Sequence, residues 1–411
     1  MTATLDLDFA RSQFPAFSEP SLQGQAHFEN AGGSYACQQV IDRLTHYYRA
    51  TKIQPYYPHP AAHAAGQQMD LAYARLAEYL NVPVDEVHLG PSTSQNTAVL
   101  AQAFRKALNA GDEIIVTNQD HEANSGVWRQ LADAGMVIRE WQIDPETGSL
   151  DINDLDNLIT DKTRLLTFPH CSNVVGEINA VEKICAKAKA AGVMTVVDGV
   201  SYAGHGLPDV DALGADIYLF SLYKVYGPHQ GAMTVRKATA EFLGNQSHFF
   251  NAGMAHKQFN PAGPDHAQVA ACNGVAEYFD ALYEHHFGAS TDDHHRAVTV
   301  AKLMHDAEQA RLPAIIDFLQ NRKNVRLIGP QTVENRAATL AISSKNQNPH
   351  DLCAALAKEG IMAGFGHFYA YRAVEAMGES TDLGLLRLSF VHYTTEAEVQ
   401  QLLTALDKVL D

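Results

Sequence analysis

A single lysine, Lys224, stands between two tyrosines at the point where a buried strand is predicted to end. The preceding residues 215–221, ADIYLFS, alternate in character and are rich in β-forming side chains, a pattern that predicts such a strand. The chain continues as SLYKVYGPHQGAM, whose Gly-Pro pair indicates a turn. An ammonium group in this position is costly unless it is paired, neutralised or chemically used. Lys224 is therefore a candidate for covalent chemistry.

Other chemically capable side chains also follow predicted strands. Ligands of open α/β sheets bind outside the carboxyl ends of the strands, so residues at those ends are expected to lie close together. They are Asp120, His121 and Glu122 after residues 114–117, His170, Cys171, Ser172 and Asn173 after residues 164–168, Asp198 at the end of residues 193–198, and Ser221 with Lys224 after residues 216–220.

An anion site is indicated upstream, in the stretch GPSTSQNTAVLAQAF that covers residues 90–104. Ser92, Thr93 and Ser94 come directly before an amphipathic helical pattern. Hydroxyl groups and free backbone N–H groups at the start of a helix bind anions, most commonly phosphate.

A lysine, an acid, a histidine and a phosphate cradle on one sheet edge are the parts that a pyridoxal phosphate enzyme needs. The lysine amine reacts with the cofactor aldehyde, and an aspartate beside the pyridine nitrogen keeps that nitrogen protonated. The protonated ring then stabilises negative charge at the substrate's α-carbon. Asp198 and Lys224 fit this arrangement because they end two successive predicted strands.

The elements that position these residues predict an α/β fold. Strand-like runs alternate with helical patterns, one of which covers residues 178–192 and ends at a glycine. This rhythm predicts a mostly parallel sheet with helices on both faces. The predicted strands are residues 114–117, 136–141, 164–168, 193–198 and 216–221.

A second, smaller α+β domain is predicted where the pattern changes near residue 292. Long helical runs are followed there by the strand-like runs VRLIG, ATLAIS and LRLSFV and by a final helix over residues 396–410. We predict a large domain of residues 20–290 and a small domain formed by residues 1–19 together with 291–411.

Charge and composition limit the classes of molecule that the protein is expected to bind. The 411 residues include 30 Lys and Arg against 47 Asp and Glu, a formal charge of −17. This excess of acids argues against nucleic acid and anionic membranes, which are bound by basic surfaces. A signal peptide and an apolar run of about 18 residues are both lacking, so we expect a soluble cytoplasmic protein. Five scattered cysteines indicate neither a disulfide framework nor a zinc site.

The stretches VVDGVSYAGH and VDALGADIYLFSLYKVYGPHQGAM resemble the class V aminotransferase and cysteine desulfurase family, which are fold-type I pyridoxal phosphate enzymes. The resemblance runs from about Phe28 to the C-terminus. It implies that Lys224 binds the cofactor covalently, that Asp198 pairs with the pyridine nitrogen and that His121 stacks on the ring. It also implies that Asn173 lies near the cofactor hydroxyl and the substrate, that Thr93 and Ser221 hold the phosphate, and that Arg387 holds the substrate carboxylate. Ser92 is predicted to bind the cofactor from its place at the predicted helix start.

Three departures from the family pattern bear on the reaction. Ser201 stands where the desulfurases usually have a glutamine, and Tyr223 stands where many have a histidine; both can still hydrogen-bond to the cofactor. In the loop GIMAGFGHFYAYR, residues 360–372, the family's active-site cysteine is replaced by an aromatic pair that follows His367. We place His367 with Asn173 and Arg387 in the predicted substrate site. A persulfide-forming desulfurase needs a thiol nucleophile, which this loop does not offer.

Two further motifs concern metal and assembly. The pairs His285-His286 and His294-His295 are adjacent residues about 100° apart on a helix, a poor arrangement for a chelate, so no metal is predicted. The segment GPDHAQ, residues 263–268, resembles the family segment that reaches across a dimer interface, which favours a homodimer.

The main functional hypothesis is a pyridoxal phosphate enzyme that acts on a small amino acid by transamination or by β-elimination of the C–S lyase type. Two alternatives remain: a cysteine desulfurase with a relocated nucleophile or with none, and a non-catalytic scaffold that binds the cofactor. A nicotinamide-dependent oxidoreductase is set aside because no GxGxxG motif follows a predicted strand.

Overall fold

A computed structural model describes residues 3–290 and 292–410. The predicted small domain includes residues 1, 2, 291 and 411, which lie outside the described residues. Within the described ranges the helices are α1 Leu7–Ser12, α2 Gln38–Ala50, α3 Pro60–Tyr79, α4 Thr93–Ala107, α5 Gly126–Arg129, α6 Leu155–Leu158, α7 Val181–Ala190, α8 Val210–Leu213, α9 Lys237–Leu243, α10 His266–Ala271, α11 Asn273–Phe287, α12 Asp293–Gln309, α13 Leu312–Gln320, α14 Pro349–Lys358, α15 Tyr371–Ala376 and α16 Glu396–Val409. The strands are β1 Ala26–His27, β2 Val87–Gly90, β3 Glu113–Thr117, β4 Val137–Trp141, β5 Thr163–Pro169, β6 Met194–Asp198, β7 Ile217–Ser221, β8 Gly231–Val235, β9 Val325–Ile328, β10 Thr339–Ser344, β11 Ile361–Met362, β12 Gly364–Gly366 and β13 Leu385–Ser389.

A seven-stranded sheet forms the centre of the fold, in the order β2-β8-β7-β6-β5-β3-β4. The pairs from β7 to β4 are parallel, whereas β8 is antiparallel to both of its neighbours, β2 and β7. The large, mostly parallel α/β sheet predicted from the sequence is therefore confirmed, and its five predicted strands lie within a residue or so of β3 to β7. The prediction did not include β2, which has only four residues, or β8, which begins with Gly-Ala, two residues with weak strand preference.

Helices cover both faces of this sheet because successive strand residues point in opposite directions. Leu165, Val196 and Ile217 pack in one apolar cluster with α4, α5 and α9. Their chain neighbours, such as Leu166 and Val197, pack in a second cluster with the long helices α2, α3, α10 and α11. A strand that is buried on both sides reads as a continuous apolar run, and this is why β5, β6 and β7 were recognisable in the sequence.

Helix α7 begins three residues later than its pattern predicts. Residue 178 pairs with Cys171 in an isolated antiparallel bridge, and its N–H donates to the Asn335 carbonyl at 2.8 Å. The Asn179 side chain donates to the Pro169 carbonyl, also at 2.8 Å. Residues 178–180 are thus held extended beside β5 by long-range hydrogen bonds, and the predicted helix over residues 178–192 is wrong at its start.

A four-stranded antiparallel sheet, β12-β13-β10-β9, forms the second layer with α13, α14 and α16. Two sets of contacts cross the predicted boundary between the large and small domains, and the division stays a prediction. Strand β1 pairs with β11, and Ala26 and Phe28 pack in the core of this smaller sheet. Conversely, α12 and Phe14 pack against the large-sheet core.

Neither a membrane span nor a metal cluster is found in the part of the chain that the structure describes. None of its helices is long and apolar enough to cross a bilayer. No group of three or more His, Cys, Asp or Glu side chains there could hold a metal ion. His285 instead stacks on Phe9 at 3.8 Å between ring centroids, and its Nε2 lies 2.9 Å from an Asp6 carboxylate oxygen. This histidine pair thus contacts the N-terminal helix.

Candidate active site

The carboxyl ends of β5, β6 and β7 meet at one edge of the large sheet. Asp198, the last residue of β6, is in register with Pro169 of β5 and Leu219 of β7. Lys224 follows β7 by one tight turn, Leu222–Lys224. Parallel pairing therefore brings the predicted aspartate and lysine together.

Lys224 lies in a cavity at this edge. The cavity is lined by Thr93, Ser94, His121, Ala123, Pro169, Cys171, Asn173, Asp198, Val200, Ser201, Ser221, Tyr223 and Lys224. Burial, with a contribution from the nearby Arg387 cation, lowers the pKa of Lys224 to about 8, against the opposing effects of Asp198 and Glu29. A lysine with a lowered pKa is partly neutral near physiological pH and can act as a nucleophile or a base.

Asp198 is 5 % exposed, and its Oδ1 accepts one backbone hydrogen bond, from Val200 N at 2.8 Å. Burial raises the pKa of this carboxyl to about 6, although the Val200 bond and Lys224 favour its ionised form. A buried carboxylate with few donors is stabilised by a cationic partner. A protonated pyridine nitrogen is such a partner.

The predicted anion cradle lies where the start of α4 meets the end of β7. Thr93 Oγ1 lies 2.8 Å from Ser221 Oγ, and both side chains are buried. The cradle is closed on its far side by β8, where a Cβ on Gly231 would come within 2.5 Å of Thr93 N. Only glycine lets β8 come this close to the backbone at the start of α4, so Gly231 is needed for the cradle to form.

Ser92 and Ser94 occupy different places in the cradle. Ser92 is the N-cap of α4, where its hydroxyl accepts from Gln95 N at 3.2 Å, and it is not among the residues that line the cavity. Ser94, which belongs to the anion site predicted from the sequence but was not among the residues predicted to hold the phosphate, lines the cavity. A helix N-cap hydroxyl commonly faces its own backbone, and this is the signal that could have separated the two serines.

His121 follows β3 and lines the same cavity. Its Nδ1 accepts from Ala123 N at 3.0 Å, which leaves the ring proton on Nε2. Burial, with Lys224 and Arg387 nearby, lowers the pKa of His121 to about 4. The imidazole is therefore neutral, as a ring that stacks on an aromatic cofactor would be.

Ser201 and Tyr223, the two replacements in the family pattern, both line the cavity. The Tyr223 ring stacks on His229 with 5.0 Å between centroids and 3° between planes. Burial raises the pKa of the Tyr223 hydroxyl, so it stays protonated and can donate a hydrogen bond.

Asn173 and Arg387 are joined across the two sheets. The Arg387 side chain is 3 % exposed, and its Nη1 donates to the Asn173 carbonyl at 3.2 Å. Asn173 Nδ2 donates to the Phe368 carbonyl at 2.8 Å. Asn173 Oδ1 and Arg387 Nε are buried without hydrogen-bond partners among the described residues. An acceptor and a cationic donor left open next to the cavity suit a substrate with both a donor and a carboxylate.

The loop that departs from the family pattern lies beside His121. Phe368 and Tyr369 both have positive φ angles, 50° and 60°, which are uncommon for bulky residues. The conformation is held by Glu122 N, which donates to the Tyr369 carbonyl at 2.7 Å. The Tyr369 ring lies 5.1 Å from His121, while His367 is not among the residues that line the cavity.

Glu29 is a site residue that the sequence argument missed. Its carboxylate Oε1 accepts from Arg387 Nη2 at 2.7 Å. The residue lies in the segment ENAGGS, whose composition indicates a loop and carries no signal for a partner 358 positions away.

The residues present fit pyridoxal phosphate. A lysine of lowered pKa can take the aldehyde, a buried carboxyl can pair with the ring nitrogen, and a neutral imidazole can stack. Two buried hydroxyls, one at the start of α4 and one at the end of β7, can bind the phosphate.

Comparison with known proteins agrees with this fit. A sequence model of the family described as Aminotransferase class-V matches residues 26–402. The aminotransferase-like protein FGM3 of Gibberella zeae is 31% identical over 430 aligned residues, which cover 100% of both chains. A cysteine desulfurase of Serratia proteamaculans is 28% identical, with 98% of each chain covered.

The fold has close structural relatives. The apo structure of a cysteine desulfurase from Thermococcus onnurineus superposes with a TM-score of 0.85 at 21% identity, covering 100% of this chain and 99% of that one. The family match spans the sheet, the cavity and the smaller layer alike. The chain belongs to the class-V aminotransferase family and is a pyridoxal phosphate-dependent enzyme.

Proposed function

We propose that the enzyme acts at the α-carbon of a small amino acid, by transamination or by β-elimination of the C–S lyase type. The observation that carries the proposal is the meeting of Lys224, Asp198 and the Thr93–Ser221 hydroxyl pair in one cavity, with Arg387 and Asn173 beside it. Bound pyridoxal phosphate supplies a ring that withdraws electrons from the substrate's α-carbon.

Each residue has a separate proposed role. Lys224 Nζ binds the cofactor covalently and then moves the proton of the α-carbon, to which its lowered pKa is suited. Asp198 holds a proton on the pyridine nitrogen, and His121 stacks on the ring.

The remaining roles concern the phosphate and the substrate. Thr93 and Ser221 bind the phosphate, with Ser92 positioning the start of α4 and Ser201 and Tyr223 adding hydrogen bonds. Arg387 and Asn173 orient the substrate carboxylate, and His367, which lies outside the cavity lining, is proposed to reach the substrate from the neighbouring loop.

The state of the cysteines supports a reaction without a thiol nucleophile. Cys171 lines the cavity, but burial raises its pKa to about 12. Burial also raises the pKa of Cys353, whose Sγ donates to the Ala363 carbonyl at 3.1 Å in the smaller layer. A thiol in either state is a poor nucleophile at neutral pH. The aromatic pair Phe368-Tyr369 instead shields the site from water, which favours transamination or elimination over desulfuration through a persulfide.

A homodimer in the cytoplasm is the proposed setting. Segment 263–268, which resembles the family's dimer segment, contributes to a groove together with Tyr56 and Phe250, whose side chains are 59% and 65% exposed. Large exposed aromatic side chains around a groove are typical of an interface. The five cysteines are all free, in keeping with a reducing compartment.

The reaction is identified by its products. Purified enzyme loaded with cofactor is incubated with a panel of amino acids, while the cofactor spectrum and the released products are followed. A keto acid with aminated cofactor indicates transamination, and pyruvate with ammonia indicates elimination. Alanine with persulfide or sulfide would contradict the proposal and indicate a desulfurase.

A further inference from the structure

Glu29 is fixed beside the arginine that is proposed to bind the substrate. Its backbone forms a parallel bridge with Ser389, two residues after Arg387 in β13. The Ser389 hydroxyl accepts from Ala31 N at 2.8 Å, which anchors the same segment from its other side. The position of Glu29 is therefore set by the strand that carries Arg387.

Two glycines leave room for the Glu29 carboxylate. A Cβ on Gly32 would lie 2.0 Å from Glu29 Oε2, and a Cβ on Gly364 would lie 3.0 Å from Oε1. Side chains at these positions would push the carboxylate away from Arg387. The glycines at positions 32 and 364 thus leave room for the ion pair between Glu29 and Arg387.

The ion pair uses only part of the guanidinium. Nη2 donates to Glu29, Nη1 donates to the Asn173 carbonyl, and Nε is buried without a partner in residues 3–290 and 292–410. The Phe368 ring lies against the guanidinium, with 3.9 Å from Cζ to the ring centroid. Nε is therefore one donor that remains open to a substrate carboxylate while Glu29 stays bound to Nη2.

A simple amino acid would bring a second carboxylate to an arginine that is already paired with Glu29. With Glu29 in place, the single charge of Arg387 is already neutralised, and a substrate carboxylate at Nε adds a second anion to one guanidinium. Lys224 is used to bind the cofactor and to move the α-proton, the substrate's α-amino group is used in binding to the cofactor, and His121 is neutral because its pKa is about 4. Two carboxylates that share one cation in a partly desolvated site repel each other, and a further cation relieves that repulsion.

We propose that Glu29 selects a substrate with a second positive charge, an amino acid whose side chain ends in an ammonium or guanidinium group. The Glu29 side chain is 31% exposed, so part of its carboxylate remains accessible while Oε1 is bound to Arg387. The inference rests on the proposed function, since it names the substrate class of the same site.

The test compares charged amino acids with neutral ones of the same length. The pairs are 2,3-diaminopropionate with 2-aminobutyrate, 2,4-diaminobutyrate with norvaline, ornithine with norleucine, and arginine with citrulline. Binding to the enzyme with its cofactor is measured by calorimetry and by the shift of the cofactor absorption band. In at least one pair we expect the charged member to bind about tenfold more tightly or better, the size of one charge-assisted hydrogen bond.

Glu29→Gln is expected to abolish this preference while the cofactor adduct on Lys224 persists. Glu122→Gln is the matched control, because it removes a carboxylate next to His121 that is 41% exposed and pairs with Arg372 at 3.4 Å. The control should keep the preference within about twofold, as expected for an exposed ion pair.

Equal binding of charged and neutral members in every pair would overturn the proposal, even if the Glu29 variant does not fold. A preference that survives Glu29→Gln would also overturn it. The proposed function is examined on the same preparation by mass spectrometry after borohydride reduction: absence of a cofactor adduct on Lys224 contradicts that function, whereas an adduct without charge preference contradicts only the role of Glu29.

Discussion

The pH dependence of covalent cofactor capture tests the lowered pKa of Lys224. The amine attacks the cofactor aldehyde only when it is neutral, so the capture rate should rise with pH until the pKa is passed and then level off. With a pKa of about 8, roughly a quarter of the lysine is neutral at pH 7.5. An ordinary lysine with a pKa near 10.4 would be only about 0.1% neutral.

The expected advantage is therefore about 200-fold in reactive amine at pH 7.5. Stopped-flow absorbance of apo-enzyme mixed with pyridoxal phosphate gives the rate from pH 6.5 to 10.5, above the second phosphate ionisation near 6. We expect a tenfold rise per pH unit at the acidic end and a midpoint near 8. Lysine with a blocked α-amino group, measured free in solution, provides the reference midpoint.

Two variants assign the cause of the shift. Arg387→Gln removes a cation that lowers the pKa of Lys224, so the midpoint should move up. Asp198→Asn removes a carboxylate that raises it, so the midpoint should move down. Lys224→Ala should show no covalent capture. A wild-type midpoint near 10, or a shift of both variants in the same direction, would refute the electrostatic reasoning.

Three further expectations concern the site. Asp198→Asn should retain the cofactor but slow exchange of the substrate's α-proton about 10²- to 10³-fold, as measured by NMR in deuterated water, because the ring nitrogen loses its proton; unchanged exchange would argue against this role. Arg387→Lys should weaken amino-acid binding about 10- to 100-fold in a spectral titration and leave the cofactor spectrum intact, since a point charge cannot replace the guanidinium fork; loss of cofactor with substrate affinity kept would place the arginine elsewhere. Replacing all five cysteines by serine or alanine should leave turnover of the preferred substrate largely intact, and loss of persulfide formation on changing Cys171 or Cys353 alone, with cysteine as the substrate, would reveal a relocated nucleophile.

The sequence by itself determined the catalytic edge of the sheet. Strands β5, β6 and β7 are buried on both faces, so each is a mostly apolar run in the sequence. Each run is followed by polar residues. Parallel strands align their carboxyl ends, so this local pattern was enough to predict that Asp198 and Lys224 lie at the same edge of the sheet. The start of α4 was predictable for the same reason, since a serine cap and a helical period are local signals.

The tertiary structure decided those parts of the fold that depend on contacts between distant residues. Residues 178–180 fit a helical period, but hydrogen bonds to Asn335 and Pro169 hold them extended. Strand β8 begins with Gly-Ala, which have weak strand preference, and its antiparallel pairing depends on two neighbours. Such choices depend on contacts that form only after the chain has folded.

The pairing of Glu29 with Arg387 is the furthest of these contacts, across 358 positions. Nothing in ENAGGS or LLRLSFV indicates that one segment neutralises the charge of the other, because an ion pair leaves no periodic trace in either sequence. The residues of the candidate site were thus readable along the chain, since strand ends are local features. The charge environment around Arg387 arises only where the two sheets meet, since it depends on the distance between side chains from opposite ends of the chain.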